Sequence, residues 1–133
     1  MLKIKEMNSN FGNEIKDIDV VEKVEIIEEI QDGIKIFRLK GRLDSNTSPV
    51  LKDKLFQAIS DGSKKIIVDF ENLDYTSSAG LRVVFNASKA LGREDGRLIL
   101  CAMHKYIREI FKTTGIDNFV LILDTMDQAL TAF

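Results

Sequence analysis

From Val24 onward the apolar residues alternate between two spacings, and this alternation constrains the fold more than any other feature of the chain. Val24–Gln31 and Ile34–Leu39 are β-rich runs separated by Asp32-Gly33, a two-residue hairpin signal. After Gly41-Arg42-Leu43-Asp44 comes Ser45-Asn46-Thr47-Ser48-Pro49, which supplies cap residues and a proline suited to a first helical turn. Leu51, Leu55, Ala58 and Ile59 then recur at helical spacing up to Asp61-Gly62. Lys65–Phe70 predicts a strand apolar enough to be covered on both faces.

A second helix is predicted over about Ser78–Leu91, with Leu81, Val84, Phe85, Ser88 and Leu91 on one stripe and Gly92 as terminator. Arg97–Ala102 reads as a strand. Met103, Ile107, Ile110, Phe111 and Thr114 mark a third helix closed by Gly115. Phe119–Leu123 reads as the last strand, and Met126, Ala129, Leu130 and Phe133 as the apolar face of a terminal helix. A hairpin followed by α-β-α-β-α-β-α predicts an α/β fold. Its mixed β-sheet would begin as an N-terminal hairpin, continue as parallel strands and pack against about four helices.

The 133 residues fit a single domain, and with 44% apolar and 30% charged residues they can build a globular core. Pro49 is the only proline, and no repeat or Ser/Gly-rich linker divides the chain. Residues 1–23 read as an N-terminal extension to a domain spanning 24–133. Asn8-Ser9-Asn10-Phe11-Gly12-Asn13 looks like a loop, and from Glu14 to Lys23 neither helical nor strand period prevails. That pattern does not say whether the extension lengthens the sheet, packs on it or mediates a homodimer.

A net charge of −2 gives no electrostatic reason to bind nucleic acid or an anionic membrane. No apolar run approaches the ~20 residues needed to span a bilayer. The N-terminus has no secretory h-region, and the single cysteine, Cys101, excludes an intramolecular disulfide. A reducing cytoplasm is therefore the expected compartment. Cys101 lies among Leu98, Ile99, Leu100 and Ala102, the setting of a buried thiol.

Enzymatic signatures are missing. A nucleophile elbow needs Gly-x-Ser-x-Gly, but Thr76 stands where the first glycine would flank Ser78, and only Gly80 fits. His104 is the sole histidine, so a Ser78–His104 pair is the only nucleophile–base combination near neutral pH. It starts the third predicted helix, where a cap or surface role suffices. Asp44 and Asp74 could pair as carboxylates, though acids in loops are ordinarily solvated. One His and one Cys do not make a zinc site, and no phosphate-binding glycine motif is present, so no metal or cofactor is implied.

Ser77-Ser78-Ala79-Gly80-Leu81 remains. It follows the carboxyl end of Lys65–Phe70 through a predicted Glu71–Ser77 loop, where sites gather in sheets of this kind. It also opens a helix, where free N–H groups favour a capping hydroxyl or a phosphate. On residue types alone, an N-cap serine and a phosphoacceptor serine both fit.

Gly41-Arg42-Leu43-Asp44, the strand Ile66–Phe70, Leu73-Asp74-Tyr75-Thr76-Ser77-Ser78-Ala79-Gly80-Leu81 and Met126-Asp127-Gln128-Ala129-Leu130 together resemble the STAS domain family. The bacterial anti-sigma factor antagonist type is the most similar, over about residues 24–133. The resemblance implies a non-enzymatic protein that binds an anti-sigma factor, often a serine kinase, and so frees a sigma factor. Phosphorylation of a serine at the start of the second helix ends binding, and a serine phosphatase restores it. Alignment on Gly80-Leu81 places the phosphoacceptor at Ser78, with Ser77 in reserve because it stands where many members carry Asp. Ala79 replaces the second hydroxyl of some members. The implied partner surface comprises Asp44, Asp74, Thr76, Ser77, Ser78, Arg82 and Asn86. The alternative is a structural STAS subunit of a lipid-transport or signalling complex, with the serine corner at a permanent interface.

Overall fold

The computed structural model describes residues 2–3, 18–21 and 23–133. The loop expected at Asn8–Asn13 and residues 14–17 lie outside the described residues. Among the described residues, seven strands form one sheet in chain order. They are β1 (Leu2–Lys3), β2 (Ile18–Val21), β3 (Val24–Gln31), β4 (Ile34–Leu43), β5 (Lys65–Thr76), β6 (Arg97–Cys101) and β7 (Leu121–Leu123). The helices are α1 (Ser48–Ser60), α2 (Ser78–Arg93), α3 (Lys105–Thr113) and α4 (Met126–Leu130).

β3 and β4 make the predicted hairpin, paired from Val24↔Gly41 to Gln31↔Ile34. Asp32 and Gly33 both take positive φ, 51° and 79°, the backbone that a two-residue turn demands and that these residues tolerate. β2 pairs antiparallel with the first half of β3, at Ile18↔Ile27 through Val21↔Val24. Its sequence favours neither period, so backbone pairing to a formed strand makes it one. From β4 to β7 all pairings are parallel, as the strand–helix alternation requires.

The sheet is covered unequally. On one face, Leu51 and Leu55 of α1, Leu81, Val84 and Leu91 of α2, and Ile107 and Phe111 of α3 pack on the main core of the sheet. Phe70 and Phe111 meet edge to face at 5.9 Å, a geometry that adds about 0.5–1.5 kcal/mol beyond area burial. On the other face, α4 packs against Ile67, Ile99 and Cys101. Burial pushes the Cys101 thiol up to about 12, with the Asp69 charge adding to the effect, so it is an inert core group. Asp69 is itself buried, and the Arg38 guanidinium donates to it at 2.7 Å, as a buried carboxylate requires.

Several boundaries differ from the sequence expectation. The third helix begins at Lys105 and the terminal helix ends at Leu130, so Met103 and Phe133 lie outside the helices expected to hold them. Gly92 does not end the second helix, which runs to Arg93 and exits through Asp95 at φ 60°. The final strand starts at Leu121, because Ile116–Asn118 form a 3-10 turn that leaves Phe119 outside the sheet. Most consequentially, Glu71–Thr76 is not a loop. β5 continues to Thr76, pairing with an equally prolonged β4 at Asn72↔Lys40, Leu73↔Gly41, Tyr75↔Arg42 and Thr76↔Leu43. Two register shifts interrupt this stretch, so Leu73 and Thr76 turn inward three residues apart instead of two. β6 ends earlier, at the Asp69↔Cys101 pair, so the β4–β5 arm runs past the β6–β7 side of the sheet, while β3 accompanies β4 as far as Gly41. The start of α2 sits at the tip of that arm.

Candidate functional site

Two helices begin at the tip of the arm, one after each of its strands. After β4, Asp44 turns the chain into α1. Its Oδ1 accepts from the Asn46 and Thr47 amides at 2.9 and 3.0 Å, while its own amide donates to Thr47 Oγ1 at 2.8 Å. Thr47 Oγ1 in turn donates to the Arg42 carbonyl at 2.8 Å. The Thr47 amide bond, seconded by Asn46, the Thr47 hydroxyl and the Arg42 charge, lowers the Asp44 pKa from its ordinary value. Arg42 Nε approaches Asp44 Oδ2 at 3.4 Å, and its guanidinium lies 4.7 Å from the centre of the Tyr75 ring.

After β5, Ser77 occupies the N-cap of α2 with extended backbone, φ −91° and ψ 177°. Its amide donates to the Leu43 carbonyl at 2.8 Å, and its carbonyl accepts from Gly80 at 3.1 Å. Its hydroxyl makes no capping bond, and Oγ is buried with no hydrogen-bond partner. Neither candidate serine therefore acts as a side-chain cap. Thr76 is buried and donates from Oγ1 to the Ser77 carbonyl at 3.1 Å. Gly80 is required for the approach of α2 to the arm, since a Cβ there would lie 2.9 Å from Leu43 Cβ and closer still to Thr76 Oγ1.

Ser78 is the first residue of α2 and is exposed. It opens onto a groove of about 380 Å³ walled by Leu81, Arg82 and Phe85 of α2 and by Thr114, Ile116 and Phe119 across from them. Phe119 is 66% exposed and meets Phe85 edge to face at 5.5 Å. The stripe expected on α2 is rotated. Val83 and Ala87 are buried where Phe85 and Ser88 were expected, and this leaves Phe85 free to line the groove. A larger cavity of about 590 Å³ lies toward the other end of α2, beside Gly92, Arg97 and Arg108, and holds none of the predicted site residues.

The structure thus joins Asp44, Thr76 and Ser77 through Leu43, and joins Ser78 with Arg82 in one groove. Asp74 and Asn86 are exposed and make no hydrogen bond with the rest of the set. Asp44 and Asp74 are not hydrogen-bonded to each other. His104 stacks on Tyr106 at 6.2 Å and does not bond Ser78. Among the described residues, no group of three or more His, Cys, Asp or Glu could hold a metal ion, and no helix is long and apolar enough to cross a membrane. Sequence reasoning missed Tyr75, Phe85, Ile116 and Phe119. Phe119 lies in an unbroken apolar run, where no local signal separates an exposed ring from a buried one.

A sequence profile described as STAS domain matches residues 25–129. The chain belongs to the STAS domain family. This STAS domain is 33% identical over 102 residues to BtrV of Bordetella bronchiseptica, a protein assigned as an anti-sigma factor antagonist; the match covers 77% of this chain and 88% of that one. Among solved structures, an anti-sigma factor antagonist from Mycobacterium paratuberculosis shares the fold, with a TM-score of 0.77, 24% identity and coverage of 86% and 97%. The Bacillus cell fate determinant SpoIIAA, solved in its phosphorylated form, gives a TM-score of 0.64 at 26% identity, covering 79% of this chain and 96% of that one.

Proposed function

We propose that this STAS domain is an anti-sigma factor antagonist that works by contact alone. Its unphosphorylated form binds an anti-sigma factor that is also a serine kinase, which frees a sigma factor for transcription. Phosphorylation of Ser78 ends the contact, and a serine phosphatase resets it. The observation that carries this reading is the exposed, unbonded Ser78 hydroxyl at the start of α2, beside a groove with apolar walls. Ser77, one residue earlier, points a buried Oγ inward, so a kinase reaches Ser78 first. The names of the relatives support the antagonist reading, and the phosphorylated form of SpoIIAA supports a role for phosphorylation in it.

A phosphate at Ser78 adds about −1.5 to −2 charges at pH 7. The first turn of α2 holds no acidic residue, so the helix start tolerates the charge and the fold persists. A partner seated over the groove with an apolar or acidic surface does not tolerate it. A buried, unpaired charge at an interface costs about 2–5 kcal/mol, or roughly 30- to several-thousand-fold in affinity. Arg82, with Asp44, Asp74 and Asn86, completes the proposed contact; Thr76, expected there from the sequence, is buried and shapes the corner from inside.

The test is to incubate the protein with ATP and its kinase-type partner and to locate the phosphate by mass spectrometry. Phosphate on Ser78 is expected. None on either serine, with the kinase active on another substrate, overturns the switch. A pull-down that returns an ABC-transporter ATPase instead of a kinase would support the structural-subunit alternative.

A further inference from the structure

Ser78 and Arg82 are four residues apart on α2, so their side chains share one face of the helix, a turn from each other. Both are exposed, and both line the same groove. Among the groove's described lining residues, Arg82 carries the only charge; the others are serine, threonine, glycine, leucine, isoleucine and phenylalanine. Arg82 forms no ion pair or hydrogen bond among the described residues. The other arginine at this tip, Arg42, is held by Asp44 and Tyr75 and is not free to turn toward Ser78. An unpaired guanidinium therefore stands at the mouth of an apolar groove, one helical turn from an exposed hydroxyl.

We infer that Arg82 is the intramolecular receptor for the phosphate on Ser78. The inference rests on the reading of Ser78 as phosphoacceptor and adds what happens to the group once it is in place. A planar guanidinium binds a phosphate through two parallel N–H···O bonds, a geometry that a lysine ammonium does not reproduce. Without phosphate, Arg82 is available to a carboxylate of the bound partner. With phosphate, the same guanidinium swings one turn toward the helix start and is spent on Ser78. Phosphorylation then acts twice on the surface: it leaves about −0.5 to −1 of net charge at the groove mouth, since one guanidinium offsets only part of the phosphate, and it withdraws the one cation the groove offers.

The test installs phosphoserine at position 78 during translation, so that it does not depend on any kinase, and follows the second phosphate ionisation by ³¹P NMR. The wild-type background is compared with Arg82→Ala and Arg82→Lys. Arg82 is exposed, so both variants keep the fold, which their unphosphorylated amide spectra verify. The helix start acts on the phosphate equally in all three and cancels in the comparison. The phosphate is expected to titrate at a pH lower in the arginine protein than in Arg82→Ala by on the order of half a unit or more, with Arg82→Lys between them. High salt should narrow the gap. Equal titration in the arginine and alanine proteins overturns the inference while leaving the kinase reading intact. Failure of the kinase to modify Ser78 would overturn that reading without touching this measurement.

Discussion

The two helix starts at the tip of the β4–β5 arm are neighbours of opposite character. Leu43 and Thr76 pair directly, so α1 and α2 begin from adjacent ends of parallel strands. The α1 start is closed on itself: Asp44 and Thr47 exchange hydrogen bonds, and Thr47 is fully buried. The α2 start spends its backbone on Leu43 and leaves one serine hydroxyl buried without a partner and the next exposed to solvent. Equivalent positions in the sheet thus serve different ends. Each corner also holds a buried hydroxyl without a hydrogen-bond partner, Ser48 Oγ at α1 and Ser77 Oγ at α2, so the difference lies in exposure: the first residue of α1 is buried, and the first residue of α2, Ser78, meets solvent.

Substitutions at the two corners can break or sharpen this contrast. The largest effect is expected at Ser78. Ser78→Asp should weaken binding to the anti-sigma partner by about 2–5 kcal/mol with little change in stability, and Ser78→Ala should bind constitutively. Calorimetric titration with the partner checks both, and full-strength binding by the aspartate variant would break the contrast. Gly80→Ala comes next, with a loss of about 1–3 kcal/mol in denaturant unfolding as Cβ crowds Thr76 and Leu43.

At the closed corner, Thr47→Ala should cost about 1–2 kcal/mol, because the Arg42 carbonyl and Asp44 amide lose their partner in a buried position. Asp44 gives the same corner a pH signature. Its folded pKa lies below the ordinary 3.8, so its stabilisation is complete above that value and disappears as pH falls through the folded one. Asp44→Asn should therefore narrow its stability gap from wild type in urea titrations as the buffer is taken below about pH 4. The smallest effect is expected for Ser77→Ala. With no capping bond to lose and an unpaired buried oxygen removed, stability should hold or rise, within about 1 kcal/mol. A loss larger than that would mean that the open corner is capped after all.

Much of the architecture was legible because it rests on local rules. Asp32-Gly33 announces its turn through backbone freedom, and the helical stripes of α1 and α3 announce their buried faces through period. The continuation of β5 to Thr76 was not legible, for a definite reason. The register shifts replace the two-residue alternation with a three-residue one, and Glu71, Asn72 and Asp74 are the exposed positions of a strand that imitates a loop. The serine pair was legible as a helix start. Which hydroxyl is turned in and which out depends on how closely Gly80 lets α2 approach Leu43, and that contact spans the gap between two strands.

The sequence by itself determined the order of elements from Val24 onward, the hairpin and the place of the serine pair at a helix start. These follow from residue types and spacings acting over a few positions. Tertiary structure alone decided that the site stands where β4 and β5 run on past β6, that the Ser77 hydroxyl is shut in while Ser78 is open, and that Phe85, Phe119 and Arg82 wall one groove with Ser78. Those outcomes depend on contacts between residues far apart in the chain, and burial and hydrogen bonding at such distances leave no period for a sequence to display.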